Sequence, residues 1–447
     1  MTDPQESRRR IVVTGLGLFS PMGIGADAFW SSLAAGRSGI GKIGLLNYCA
    51  APRNVGGEVK EFNESTARKD YLQQQKKSIK VMCREIQLGV ASALQAVQHC
   101  GLDVESVDHQ RFGVDFGANL MFSPPDVLKD PCWVCVDEGD SARNFHYERW
   151  GNAGENAGDR TGMGVMEPLW LLKYLPNMPG CHIGIALNAY GPNNSLTLED
   201  ASGLLAVSEA FRIMERGSAD VMVAGSTGTR LHPVKSVHAK MWDQLADSDD
   251  PPETWCRPFD AGRIGQVVAE GSGALVLEEE AAAKARDATI YAQMLGAGAS
   301  CVIDRDGHAQ PRAALANAMR SALRDAGLQP GDVGHINAHG LGTTDSDREE
   351  AAAIQDVFGD VASRVPVTAI KSYIGNAGAG CGVLELSASL LGLRHGIVPP
   401  TLNYRQPDPE CPLNVVHGEP LPVENKTVLS INVTRMGQAA ALIVRGA

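Results

Sequence analysis

Ten cysteines, eleven histidines and a surplus of carboxylates are the groups from which this sequence could build a reactive centre. The cysteines stand at 49, 83, 100, 132, 135, 181, 256, 301, 381 and 411 with no framework spacing, which fits a reducing compartment. Cys132-Trp133-Val134-Cys135 is the sole C-x-x-C. Tetrahedral zinc needs four ligands, and no second pair or nearby His-x-x-x-His completes the set, so no metal is expected. Asp200 immediately precedes an apolar stripe of helical period; aspartate is a favoured N-cap, and its charge suits a helix N-terminus by roughly 0.3–1 kcal/mol. Lys76, Lys77, Lys80 and Arg84 form the densest basic cluster, read first as a solvated helix face and second as a docking patch for an acidic partner. His182 and His335 lie in apolar runs and read as hydrogen-bonded strand residues.

The elements that would position such groups alternate short β-branched runs with longer helical ones, the pattern of a layered α/β fold. Strands are expected at 11–15, 112–116, 183–187, 221–225, 273–277, 335–338, 428–433 and 440–444, and helices at 81–98, 202–216, 312–326, 348–358 and 383–393. In the first helix Ile86, Val90, Ala93 and Val97 recur on one face. Two similar halves, 1–258 and 259–447, are expected. The polar, glycine-rich segment 122–166 reads as an irregular surface insertion that could serve as a lid.

With 447 residues, 44% of them hydrophobic and 21% charged, the chain can bury a large core and is neither disordered nor a membrane bundle. Its net charge of −12 argues against nucleic acid. Arg8-Arg9-Arg10 before IVVTGLGLFSPMGIGA imitates a secretory signal, but the glycines interrupt it and Ile11-Val12-Val13 reads as a buried strand. No run approaches the ~20 apolar residues of a membrane helix. A cytoplasmic protein without a membrane span is the expectation.

Six blocks occur in one order: RIVVTGLGLFSPMGIGADAFWSSLAAGRSGI (10–40), LPNMPGCHIGIALNAYGPNNS (175–195), RGSADVMVAGS (216–226), a stretch opening RPFDAGRIGQVVAEG (257–296), INAHGLGTTDSDREEAAAI (336–354) and one opening AIKSYIGNAGAGCGVLE (369–404). Together they resemble the β-ketoacyl-acyl-carrier-protein synthases, type II condensing enzymes of the thiolase superfamily. The resemblance implies a five-layered αβαβα fold of two duplicated halves. It also implies pairing as a homodimer or as a heterodimer with an active ketosynthase, and acyl chains carried on the phosphopantetheine of an acyl carrier protein, with no cofactor of the chain's own. The basic cluster at 76–84 would then be the carrier-docking candidate.

In that family a cysteine at the start of a buried helix takes the acyl chain, and two histidines hold the malonyl thioester oxygen. The nucleophile motif S-x-x-T-A-C-A-S/T-G falls on 195–203 and places Asp200 at the cysteine. H-G-T-x-T falls on 339–343 and keeps His339. K-S-x-x-G keeps Lys371, but Asn376 stands where the second histidine follows; Glu385 matches a family glutamate. The gate segment N-S-F-G-F-G-G falls on 432–438, which makes Thr434, Arg435 and Met436, with Thr343, the substrate-contacting candidates. Asp260 and Arg263 are expected to brace a loop beside the site, and Asp347 and Glu350 to hold the His339 loop by backbone hydrogen bonds.

Carboxylate attack on a thioester would give an anhydride, uphill and quickly hydrolysed, so Asp200 does not replace the thiolate. The plain reading is a helix cap paired with Lys371 or His339. Ser202 points away from the site on a helix, and Cys381 reads as a packing residue. A chain-length factor, a cysteine-less ketosynthase-like partner, often carries A-E-Q-A-G-G-L, which Leu198-Glu199-Asp200-Ala201-Ser202-Gly203-Leu204 resembles. The alternative is an acyl-thioester enzyme using His339 and Asp200, such as a malonyl-carrier decarboxylase or an atypical acyltransferase. There an ionised Asp200 ~4 Å from the malonyl carboxylate would cost about 4 kcal/mol at an effective dielectric of about 20, so a compensating cation is required.

Overall fold

The computed structural model describes residues 9–46, 49–137, 144–151 and 160–447. The first half builds strands β1 (Ile11–Ser20), β2 (Phe112–Ala118), β3 (Asn193–Leu196), β4 (Val221–Thr229) and β5 (Glu270–Glu279), in the order β3-β2-β4-β5-β1. The second builds β6 (Ala292–Cys301), β7 (His335–Asn337), β8 (Pro366–Thr368), β9 (Thr427–Val433) and β10 (Gln438–Gly446), in the order β6-β10-β9-β7-β8, extended by Asn414–Val415. Strand directions match as well: β1/β5, β5/β4, β6/β10 and β10/β9 are antiparallel, and the pairs beyond them parallel. The halves are therefore one topology used twice. They join where Val12 and Val13 of β1 pair with Gln293 and Ala292 of β6.

Helices fill the remaining layers. α1 (Arg84–Cys100) and α2 (Met178–Leu187) cover the outer face of the first sheet, and α3 (Ser202–Glu215) packs beneath it. α4 (Pro233–Trp242) flanks the cavity described below. α5 (Pro311–Ala326) and α6 (Thr344–Phe358) cover the second sheet, and α7 (Cys381–Arg394) lies with α3 between the sheets. Every residue of α7 except Arg394 is buried, as expected of a helix enclosed on all sides. α3 and α7 start side by side: a Cβ on Gly203 would sit 3.2 Å from Ala379 O, and one on Gly382 3.3 Å from Leu204 N. Gly17, which breaks the apolar run of β1, lets α1 lie on the strand backbone; a Cβ there would meet Ser92 O at 1.9 Å.

Several expectations are corrected. Residues 183–187 belong to α2, not a strand; Pro179 at its start and the left-handed Asn188 at its end set the helix, and a short apolar run alone fits either state. β5 pairs with β1 although it follows residue 258, so the first sheet extends past the expected boundary. Within 122–166, residues 138–143 and 152–159 lie outside the described residues. The rest holds short helices at Pro125–Val134, Glu148–Gly151 and Gly162–Val165 that pack on one another. Lys76, Lys77 and Lys80 are exposed, on turns and a single 3₁₀ turn (Ile79–Val81) instead of a helix face. Arg84 leaves the patch: its guanidinium binds buried Glu270 (Nε 2.8 Å, Nη2 2.7 Å) and the Phe62 and Val59 carbonyls. Among the described residues no helix is long and apolar enough to cross a membrane.

Candidate active site

The chain leaves β3, makes one 3₁₀ turn (Glu199–Ala201) and enters α3. Glu199 holds φ +44°, a left-handed conformation that costs a non-glycine residue roughly 1–2 kcal/mol. The Ser202 hydroxyl accepts the Leu198 N–H at 2.8 Å and fixes the bend. Ala201, not Asp200, is the cap residue of α3, so the expected capping role fails. Instead Asp200 Oδ2 accepts from Arg230 at 3.1 Å, and Arg230 also binds Asp243 at 2.9 Å. Asp200 is only 4% exposed. Burial raises its pKa, but Arg230, together with Lys371, outweighs burial and the net shift is downward, so Asp200 is ionised. Burial raises Asp243 and Glu199.

Arg230, its second partner Asp243 and Lys235 are site residues that the sequence did not single out. The strand before Arg230 was expected to end at 225, but β4 continues to Thr229 and delivers the next side chain at its C-terminal end. A lone arginine after a buried run, SADVMVAGSTGTR, was the available signal.

His339 follows β7 in a loop gripped from below, as expected. Glu350 accepts the His339 and Gly340 N–H groups at 2.6 and 2.8 Å, and Asp347 those of Gly342 and Phe259 at 3.0 and 2.8 Å. Gly340 and Gly342 have φ of +46° and +77°, which favours glycine. Arg263 and Asp260 brace the neighbouring loops: Arg263 donates to Thr343 O, and Asp260 accepts from the Arg405 and Gln406 amides.

Behind the ring lies a closed set of charges. Lys371 donates to Glu385, to His339 O at 2.9 Å and to His339 Nδ1 at 3.1 Å. Asn432 reaches Glu385 at 2.8 Å and Nδ1 at 3.3 Å. Burial opposes the Lys371 charge, but Glu385 beside it keeps the ammonium protonated. Burial, then Lys371, drives the His339 pKa well down. The imidazole is therefore neutral, its Nδ1 is an acceptor and the proton sits on Nε2, which has no partner among the described residues. Asn376 gives an N–H to Gln266 at 2.7 Å, and its Oδ1 accepts Gly378 N–H at 2.8 Å.

A cavity of about 550 Å³ opens onto this cluster. Asp200, Asn376, Thr343, Thr434 and Arg435 line it; His339, Lys371 and Glu385 stand behind its wall, and Met436 is exposed on a turn outside it. Thr434 shares a 2.8 Å hydrogen bond with Gln438, and the Arg435 guanidinium lies 5.7 Å from the Trp242 ring centre. Arg230, Lys235, Asp243 and Glu199 complete a charged lining, and Phe122 is the sole contribution of the 122–166 segment among the described residues. Among the described residues no cysteine lines the cavity. Cys381 is buried with its sulfur accepting Ala377 N–H at 3.1 Å, and burial pushes its thiol up to about 12. The Asp304, Asp306 and His308 groups lie close enough to share an ion, but they are exposed and Asp304 is already engaged with the Asp306 and His308 amides.

Comparison with known proteins agrees with this architecture. Residues 8–283 match the family described as beta-ketoacyl synthase, N-terminal domain, and residues 291–405 its C-terminal domain. A putative polyketide beta-ketoacyl synthase 1 of Streptomyces halstedii is 32% identical over 439 residues, 98% of each chain. A 3-oxoacyl-[acyl-carrier-protein] synthase 2 of Coxiella burnetii is 32% identical over 424 residues, 95% of each. Among solved structures, the ishigamide ketosynthase/chain length factor is similar with TM-score 0.82 and 28% identity over 99% of this chain and 100% of that one. A type II polyketide acyl-carrier protein in complex with its ketosynthase is similar at TM-score 0.80 and 26% identity, over 99% and 100%. With both domains matched in order and the fold shared end to end, the chain belongs to the β-ketoacyl synthase family of fatty-acid and polyketide biosynthesis.

Proposed function

We propose that this chain is a non-condensing member of its family, a chain-length-factor-like partner of an active ketosynthase whose substrates ride on the phosphopantetheine of an acyl carrier protein. The observation that carries the reading is the Asp200–Arg230–Asp243 ion set at the start of α3. An ionised, ion-paired carboxylate offers no thioester chemistry there, and Cys381 is hydrogen-bonded and held as a thiol away from the cavity. The likeness to a ketosynthase/chain length factor supports it. Lys76, Lys77 and Lys80 remain the carrier-docking candidates, without Arg84. The test is intact mass of the purified chain after incubation with an acyl-carrier thioester, beside co-expression with an intact ketosynthase. No acyl adduct and stable co-purification are expected; an adduct on any residue refutes the reading.

One observation favours a second reading. Arg230 supplies the cation that a malonyl-carrier decarboxylase would need beside Asp200, and His339 Nε2–H, buried just behind the cavity wall, is a donor with no partner among the described residues, suited to an enolate oxygen. Release of carbon dioxide from malonyl-carrier protein by the chain alone, lost in His339→Ala, would select this reading over the first.

A further inference from the structure

A second cavity, of about 440 Å³, shares no lining residue with the first. It forms where the helix Ala26–Ala34, the C-terminal ends of α1 and α7, and the residues leading into β6 meet β1. Trp30 and His395 both line it and stack on each other with ring centres 3.9 Å apart and planes 7° from parallel. Tyr291 carries the Arg394 guanidinium 5.1 Å from its ring centre, and its oxygen lies 3.3 Å from His99 Nε2. His99 Nδ1 accepts the Leu16 N–H at 3.1 Å. The imidazole proton is therefore on Nε2 and is donated to the phenol oxygen, so the phenol's own hydrogen is unengaged.

Charge is the informative part. Asp27 and Arg394 both line the cavity, and each acts electrostatically on both His99 and Tyr291. They do not pair with each other, and neither has another ion-pair partner among the described residues. A simple anion drawn to Arg394 would meet Asp27, and a simple cation drawn to Asp27 would meet Arg394. A molecule carrying both charges satisfies both, and the volume lies within the usual range for small-ligand sites, roughly 300–1,000 Å³.

We infer that this cavity binds a small ring-bearing zwitterion of the aromatic α-amino-acid class, its carboxylate on Arg394 and the Tyr291 hydroxyl, its ammonium on Asp27 and its ring against Trp30. The site is independent of the acyl chemistry proposed above. The test is calorimetric titration of the full chain with L-tryptophan, N-acetyl-L-tryptophan and tryptamine. Tryptophan is expected to bind with a Kd of about 1 mM or tighter, and each analogue, lacking one charge, at least tenfold more weakly. Arg394→Gln and Asp27→Asn, both at exposed positions, should each weaken tryptophan at least tenfold, whereas Asp345→Asn in the first cavity leaves it unchanged. No tryptophan binding, equal binding of either analogue, or indifference to both cavity substitutions overturns the inference.

Discussion

Replacing Arg230 by methionine keeps much of the volume and removes the cation together with its hydrogen bonds to Asp200 and Asp243. Asp200 and Asp243, with side chains 6% and 14% exposed, would lose their shared partner at 3.1 and 2.9 Å. Breaking a buried pair from one side costs about 3–5 kcal/mol, since the remaining charge stays desolvated. The sign of the pH dependence is fixed. In the native chain the Asp200 pKa is depressed, so its stabilising contribution is present above the ordinary carboxylate value and lost as pH falls through the folded one. In Arg230→Met the burial that raises Asp200 is less opposed, so the deficit is full at pH 8 and shrinks towards pH 5, as the carboxyls take up protons. Equilibrium denaturation at fixed protein concentration reads this. Asp200→Asn in the same chain should recover part of the loss, a coupling on the order of 1–3 kcal/mol. A deficit below about 1 kcal/mol at pH 8, or one that neither acid nor Asp200→Asn relieves, would mean that Arg230 does not hold the two carboxylates as a buried ion set.

Lys371→Met should destabilise by a similar 3–5 kcal/mol in chemical denaturation, with Glu385→Gln in the same chain restoring much of it, because the two form a wholly buried pair. Alkylation followed by peptide mass mapping at pH 7.5 should label exposed Cys301 and spare Cys381 until the chain unfolds. Asp115 is buried with neither oxygen bonded among the described residues, and burial pushes it up to about 8. A raised folded pKa means stability lost as pH rises towards that value, so Asp115→Asn should be more stable than the native chain by about 1–3 kcal/mol at pH 9 and by less at pH 6. Gly17→Ala should cost several kcal/mol, because its methyl would overlap the Ser92 carbonyl of α1.

The layered α/β pattern was legible because strands such as 428–433 and helices such as 383–393 carry long, consistent apolar signals. The segment 183–187 was not, since a run of five apolar residues looks alike in either state and Asn188 sets the helix end through backbone conformation alone. His339, Lys371 and Asn376 could be placed because each sits in a short local motif. Arg230 could not, because it meets Asp200 only after β4 carries it to the mouth of α3, a contact between residues thirty positions apart. Arg84 was assigned to a surface patch by its neighbours in sequence, whereas its partner Glu270 lies 186 positions away.

The doubling of one topology brings the starts of α3 and α7 side by side, where each contributes about half a positive elementary charge from the unpaired amides of its first turn. That point favours any negative group, whichever atom bears it. Position 200 lies one residue before the cap of α3, so its carboxylate answers both to the Arg230 guanidinium and to the positive ends of two helices, and a neutral side chain there would leave those charges unanswered.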